Sequence, residues 1–328
     1  MKNSINRRRF IAKSTLLAFT PYLSRAIAQE VPVSTFGPDA TAEQVTAGVD
    51  MSGKTVVVTG CNSGIGCETM RVLALRGAHV IGTARSIDKG REACNSIEGR
   101  ATPVVLELTE FDSIAACADQ IQDLDAPIDA LICNAGVLLT ELKQARGLEM
   151  QFVVNHLGHF ILTNRLLDRV VAAQQGRVVV VGSMSHRQVP EGGIQFDNLS
   201  GEGWSRQAYG HSKLANGLFS LELSKRLEGT NATSNSLHPG VVATNIMRNM
   251  NFTPRAGGGG GGGGFRMETP AQGAATSCYL ASNPALAGVS GHYFVDCNVA
   301  EQSDHQTDEA MAAKLWDVSV ELTRDYLT

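Results

Sequence analysis

From Lys54 onward, short β-branched runs alternate with longer segments whose apolar residues recur every three to four positions. Thr55–Thr59 (TVVVT) is apolar without alternation, as expected of a strand covered on both faces. Further strands are predicted at His79–Thr83, Pro103–Leu108, Ala130–Cys133, Arg177–Val181, Thr233–Leu237 and His292–Asp296. Helical periodicity predicts Ile65–Arg76, stopped by Gly77, then Asp88–Ile97, Ser113–Leu124, Leu148–Val171, Gln207–Leu227, Pro270–Ala281 and Glu309–Asp325. On Leu148–Val171, the residues Val153, Leu157, Phe160, Ile161 and Leu167 fall roughly on one side.

Strand and helix thus take turns along the chain. Such alternation demands a parallel sheet with right-handed crossovers. The predicted fold is α/β: a single doubly wound Rossmann-type domain with helices on both faces of the sheet. Ligands of such sheets bind beyond the carboxyl ends of the strands. One stretch interrupts the pattern. Gly257–Gly264 is eight consecutive glycines, from which no packed element can be built. Residues 241–268 are therefore expected as a Gly-rich substrate-loop insertion placed where an active-site lid would be, although a neutral expansion in a surface loop reads the same way.

Charge separates the N-terminus from the body. The first 28 residues hold six of the 28 basic groups and none of the 32 acidic ones. The remainder carries 22 basic against 32 acidic groups, which does not suggest nucleic acid as a partner. Within the basic segment, Arg7-Arg8-Arg9-Phe10-Ile11 precedes an apolar run, Ser14–Leu23, and then Ala26-Ile27-Ala28. The apolar run is too short to span a membrane, and the small-x-small end fits a signal-peptidase site. The segment resembles a bacterial twin-arginine signal, with Asn6 where Ser or Thr is commoner. It implies residues 1–28 as a signal peptide, the twin-arginine translocase as a transient partner, and a periplasmic or secreted location; a basic tail on a cytoplasmic protein is the alternative. Residues 29–51 read as a leader to the folded domain at 52–328. No stable membrane insertion is expected after processing. The seven Cys show no metal-ligand spacing and read as small buried residues.

Candidate chemistry falls at the predicted strand ends. Thr59-Gly-Cys-Asn-Ser-Gly-Ile-Gly66 follows a strand and opens a helix. Gly60 permits a tight turn, Gly64 lets the backbone approach a pyrophosphate, and Gly66 lets helix pack on strand. The N–H groups around Asn62, Ser63 and Ile65 then face the phosphates. The second strand ends in "GTARS", with Arg85 where NAD-selecting folds place an acid. A guanidinium there pairs with a 2′-phosphate, so NADP(H) is favoured over NAD(H). "YGHSK" puts Tyr209 and Lys213 one turn apart on a helix, where an ammonium would favour the phenolate. Ser183 follows the fifth strand, and Asn134, Ala135 and Gly136 follow the fourth. His156, His159, His211 and His238 invite a metal reading. No carboxylate or Cys follows at ligand spacing, so they are read as hydrogen-bonded within the fold or facing the cofactor edge, and no metal is assigned.

The ordered set Thr59-Gly-x-x-x-Gly-Ile-Gly66, Asn134-Ala-Gly136, Asn155, Ser183, Tyr209-x-x-x-Lys213 and His238-Pro-Gly240 resembles the short-chain dehydrogenases/reductases over residues 54–325. "VNHLGHFILTN", "YGHSKLAN", "LHPGVV", "TPAQGAAT" and "GHYFVDC" look like the retinol dehydrogenase and protochlorophyllide reductase-like branch. The resemblance implies Tyr209 as acid/base, Lys213 lowering its pKa and bonding the nicotinamide ribose, Ser183 holding the substrate oxygen and Asn155 helping to hold a relay water. It places Glu107 and Leu108 near the adenine, and Pro239, Gly240, Val242 and Thr244 by the carboxamide. Two departures stand out: Val180-Val-Gly-Ser183 replaces Asn-x-Ser-Ser, so that Gly182 is expected to alter substrate approach, and the glycine run replaces the loop that would contact substrate. The expected function is an NADP-dependent oxidoreductase interconverting an alcohol and a carbonyl on a small or lipophilic substrate. The alternatives are a non-catalytic dinucleotide-binding sensor and another reaction type on the fold, such as an epimerase or a light-driven reductase.

Overall fold

The computed structural model describes residues 31–204, 207–242 and 267–328. The expected signal at 1–28, Thr244 and the glycine run Gly257–Gly264 lie outside the described residues.

The first element of the described residues is a short helix, α1 (Ala42–Val45), closed by a Thr41–Gln44 capping box. The first half of the domain then runs β1 (Thr55–Val58), α2 (Gly64–Leu75), β2 (His79–Ala84), α3 (Ile87–Asn95), β3 (Arg100–Val105), α4 (Phe111–Gln122) and β4 (Ala130–Cys133). A small hairpin, β5 (Gln144–Ala145) and β6 (Leu148–Glu149), leads into α5 (Met150–Phe152), a π-turn (Val153–Leu157) and α6 (Gly158–Val171). There follow β7 (Arg177–Val181), α7 (Gln207–Arg226), β8 (Thr233–His238), α8 (Pro270–Gly273), α9 (Ala275–Ser282), β9 (Tyr293–Val295), β10 (Asn298–Val299) and α10 (Glu309–Thr323). The sheet order is β10-β9-β8-β7-β4-β1-β2-β3. All neighbours are parallel except β10, which returns antiparallel to β9.

The doubly wound α/β expectation is therefore met. Both faces are covered, and the unbroken apolar runs serve both. Val57, Leu131, Val178 and Val180 pack toward α4, α6, α7 and α10 with Phe160, Leu218 and Trp316. Val56, Val58, Ile132 and Val179 pack toward α2 and α9 with Met70, Leu73 and Leu280. Burying these side chains on two faces is the main drive for the fold.

Four local differences have physical causes. The third strand ends at Val105, three residues before its expected end, because Leu106 N–H closes the ladder onto the Ala84 carbonyl and the chain then turns. Pro103 is tolerated in it because β3 is an edge strand. The expected helix Leu148–Val171 starts two residues late, since 148–149 pair in the hairpin, and it carries the π-turn. The helix over 270–281 is two helices hinged at Ala274. Of residues 29–51, expected as a leader, the described ones from 31 onward are docked: Ala42, Val45 and Met51 are buried in the core. Phe36 packs edge-on to Tyr279, Arg71 pairs with Glu43, and Asn298 bonds both Ser34 N–H and the Phe36 carbonyl.

Candidate active site

At the carboxyl edge of β1, β2, β4, β7 and β8 lies a cleft of about 520 Å³. Its first wall is the turn after β1. Gly60 (φ +71°) and Gly64 (φ +59°) hold conformations that favour glycine. A Cβ on Gly66 would sit 2.3 Å from the Gly60 carbonyl oxygen, so only glycine lets α2 come this close. Ser63 at the N-cap of α2 makes no side-chain cap bond, which leaves first-turn N–H groups to an outside acceptor. Asn62, Ser63, Gly64, Ile65 and Gly66 all line the cleft.

The turn is tied to β4 by Asn134. Its Nδ2 donates to the Thr59 carbonyl at 2.8 Å, while the N–H groups of Asn134 and Ala135 both donate to Thr59 Oγ1 at 2.9 Å. Arg85, exposed at the end of β2, lines the same cleft with Glu107, Leu108, Ala135 and Gly136. Glu107 turns its carboxylate onto Thr109, accepting from N–H at 3.1 Å and Oγ1 at 2.9 Å. Leu108 packs against Gly158, where a Cβ would meet its Cδ2 at 2.8 Å. Pro239, Gly240 (φ +86°) and Val242 close the far end. This cradle of positive-φ glycines, open helix N–H groups and a cation fits a pyrophosphate-bearing dinucleotide.

Ser183 leaves β7 as N-cap of a single 3₁₀ turn (Met184–Arg187), its Oγ accepting from Ser185 N–H at 3.1 Å. The Tyr209 phenol, on α7, lies near Ser183, and both line the cleft. Gly210 makes that meeting possible. A Cβ there would lie 2.0 Å from the Gln188 carbonyl oxygen and 2.7 Å from that of Ser185, so α7 rests directly on the chain that carries Ser183. Lys213 is buried one turn on, donating to the Val181 carbonyl at 2.9 Å, with Nζ 5.7 Å from the Tyr209 ring centre. Burial pushes the Tyr209 phenol up to about 12, with the nearby Ser183 side chain acting against it. Burial likewise pushes the Lys213 amine down to about 8. Desolvation sets the direction of both shifts.

Asn155 sits in the π-turn and behind the cleft wall. Its Oδ1 accepts from Val137 N–H at 2.8 Å, and its Nδ2 donates to the Val137 carbonyl at 3.0 Å and Ser212 Oγ at 2.9 Å. The Asn155 side chain thereby fixes the chain after β4 against α7. Gly182 also has a packing cause: a Cβ would lie 2.8 Å from the Leu237 carbonyl oxygen, so β7 and β8 approach too closely for a side chain.

The four histidines are engaged separately. His156 bonds Ser319 at 2.8 Å, His211 accepts from Gln195 N–H at 3.1 Å, His238 accepts from Met184 N–H at 3.4 Å, and His159 bonds Thr59. Burial pushes His156 and His211 down to about 3 and His159 and His238 down to about 4, so all four are neutral. Among the described residues, no three His, Cys, Asp or Glu side chains form a metal-binding group.

Sequence reasoning missed three contributors. The Thr59 hydroxyl anchors the cofactor turn and was visible only as the first letter of the glycine motif. Gly210 lies inside "YGHSK", between the residues singled out. An apolar wall of Val137, Leu138, Leu139, Met150 and Val154 lines the same cleft as Ser183. Its signal is the run "GVLL" after Asn134-Ala135.

Comparison with known proteins agrees with this geometry. The family model described as short chain dehydrogenase matches residues 54–254. The chain is 40% identical over 304 residues to the short-chain dehydrogenase TIC 32 B of Brassica napus, covering 88% of this chain and 94% of that protein. It is 41% identical over 285 residues to retinol dehydrogenase 11 of Homo sapiens, covering 84% and 88%. Among solved structures, an uncharacterised protein from Mycobacterium paratuberculosis superposes with a TM-score of 0.69 at 32% identity, covering 85% of this chain and 97% of that one.

Proposed function

We propose, since the chain belongs to the short-chain dehydrogenase/reductase family and is by that membership an NAD(P)-binding oxidoreductase of hydroxyl and carbonyl groups, that it interconverts a lipophilic alcohol and its carbonyl with NADP(H), Tyr209 serving as acid/base. The observation that carries this reading is the meeting of Ser183, Tyr209 and the buried Lys213 amine, its Nζ 5.7 Å from the Tyr209 ring centre, in one cleft with an apolar wall.

Bound NADP(H) supplies or takes up a hydride. The chain's own residues handle the oxygen. In reduction, Ser183 Oγ–H donates to the carbonyl oxygen and Tyr209 passes its phenolic proton to that oxygen. In oxidation the phenolate takes the proton back. Lys213, close to the ring, supports the phenolate when it forms. Asn155 positions the chain after β4 and α7 rather than touching the reactants. Val137, Leu138, Leu139, Met150 and Val154 favour a hydrocarbon chain or ring over a polar substrate. Retinol dehydrogenase 11, named for a lipophilic alcohol, supports that choice. Arg85 supports NADP(H), since its guanidinium suits a 2′-phosphate and no acid occupies the β2 turn.

Changing Tyr209 to Phe is expected to abolish turnover on a panel of apolar aldehydes and alcohols, with NADPH affinity by fluorescence titration within about twofold of wild type. Turnover that survives the change removes Tyr209 from this role.

The same reading extends to location. The N-terminal segment supports twin-arginine export to the periplasm, with the dinucleotide bound before the folded protein crosses.

A further inference from the structure

A line of hydrogen bonds, buried at its centre, joins the two halves of the site through one side chain, His159. The ring lies on α6, one turn after Asn155, and is 1% exposed. Its Nδ1 is 3.0 Å from the Asn155 carbonyl oxygen and its Nε2 is 2.9 Å from Thr59 Oγ1. A carbonyl oxygen only accepts, so Nδ1 carries the proton. The ring is neutral, so Nε2 is bare and the Thr59 hydroxyl must donate to it. With its proton directed there at 2.9 Å, the Ile132 carbonyl lying farther off at 3.4 Å, Thr59 Oγ1 offers lone pairs to the N–H groups of Asn134 and Ala135, and both use it. Beyond His159 the line continues. Asn155 Nδ2 donates to Ser212 Oγ, which donates at 2.8 Å to the Tyr209 carbonyl.

We infer that His159 is a positioning residue joining the dinucleotide turn to the acid/base helix: one ring nitrogen fixes Thr59 at the cofactor end, the other fixes the Asn155 carbonyl in the π-turn that leads to Tyr209. This rests on the proposed role of Tyr209. The Asn155 carbonyl is held by a side chain of the fold, and the catalytic helix is held in register with the turn that cradles the phosphates.

The two bonds can be cut one at a time. His159→Asn keeps a donor toward the carbonyl four residues back, as Asn164 Nδ2 does to the Phe160 carbonyl at 2.7 Å in this helix, and loses Thr59. His159→Gln reaches Thr59 with an acceptor and loses the donor to Asn155. In the Asn variant the NADPH dissociation constant, read by fluorescence titration without turnover, is expected to rise about tenfold with kcat at saturating NADPH within about twofold, one buried hydrogen bond being worth that factor. In the Gln variant kcat is expected to fall about tenfold with NADPH affinity within about twofold. Thr59→Val should match the Asn variant, and combining the two should cost no more than either alone. The inference stands only if both arms split in this way. Losses of kcat and affinity that move together with the melting temperature, or no loss in either variant, overturn it. Failure of the Tyr209 role is separate: it is read from Tyr209→Phe, and the NADPH arm does not depend on it.

Discussion

Arg85 is the residue on which cofactor choice turns. Its neighbours in "GTARS" offer no acid to a ribose hydroxyl, and its side chain borders the cleft. A charge-assisted pair with a phosphate contributes about 1.5–3 kcal/mol. Arg85→Ala should therefore weaken NADPH about 10- to 100-fold and leave NADH within about twofold, by parallel fluorescence titrations. Equal losses for both would assign the arginine to the shared part of the dinucleotides. Protonation states at Tyr209 give a second residue-scale test. With its phenol pushed up to about 12, Tyr209 holds its proton across the neutral range and is ready to donate it. Its phenolate fraction grows about tenfold per pH unit below that value. Initial rates of oxidation should climb with pH from 6 to about 8 while rates of reduction stay level. A level oxidation rate over that interval would show that the phenolate is already formed.

At the scale of elements, the site depends on how closely α7 rests on the chain after β7. Gly210→Ala forces a methyl group against the Gln188 and Ser185 carbonyls. It should cost about 1–3 kcal/mol in urea unfolding and lower kcat, because relief of the clash moves Tyr209 from Ser183. Stability and kcat both at wild-type values would mean that the loop yields freely. Much of this frame is legible in sequence, since TVVVT, RVVVV and the helical periods each obey one physical rule. The cleft residues are legible as well, because chemistry sits at strand ends in this architecture. Other features are not. A π-turn over Val153–Leu157 differs from an α-helix by one residue in one turn, which hydrophobic spacing does not resolve. Two-residue strands such as β5 and β6 carry no period at all. The nearness of Gly210 to Gln188, of Gly182 to Leu237 and of His159 to Thr59 is tertiary and has no local signature.

For the molecule as a whole, the N-terminal segment raises the question of where the enzyme works. Arg7→Lys with Arg8→Lys should remove the protein from the periplasmic fraction while cytoplasmic extracts keep its activity, by fractionation and immunoblot. Persistent export would reassign the segment to another route. Among the described residues no helix is long and apolar enough to cross a membrane. The docked stretch 31–51 adds a consequence at this scale. The sheet has two margins, each a potential template for pairing with another chain. At one, Pro103 removes a backbone donor from β3. At the other, β10 is only two residues long and Ser34 and Phe36 lie against Asn298. Both flanks thus carry a feature that disfavours lateral growth of the sheet, which works against edge-to-edge polymerisation.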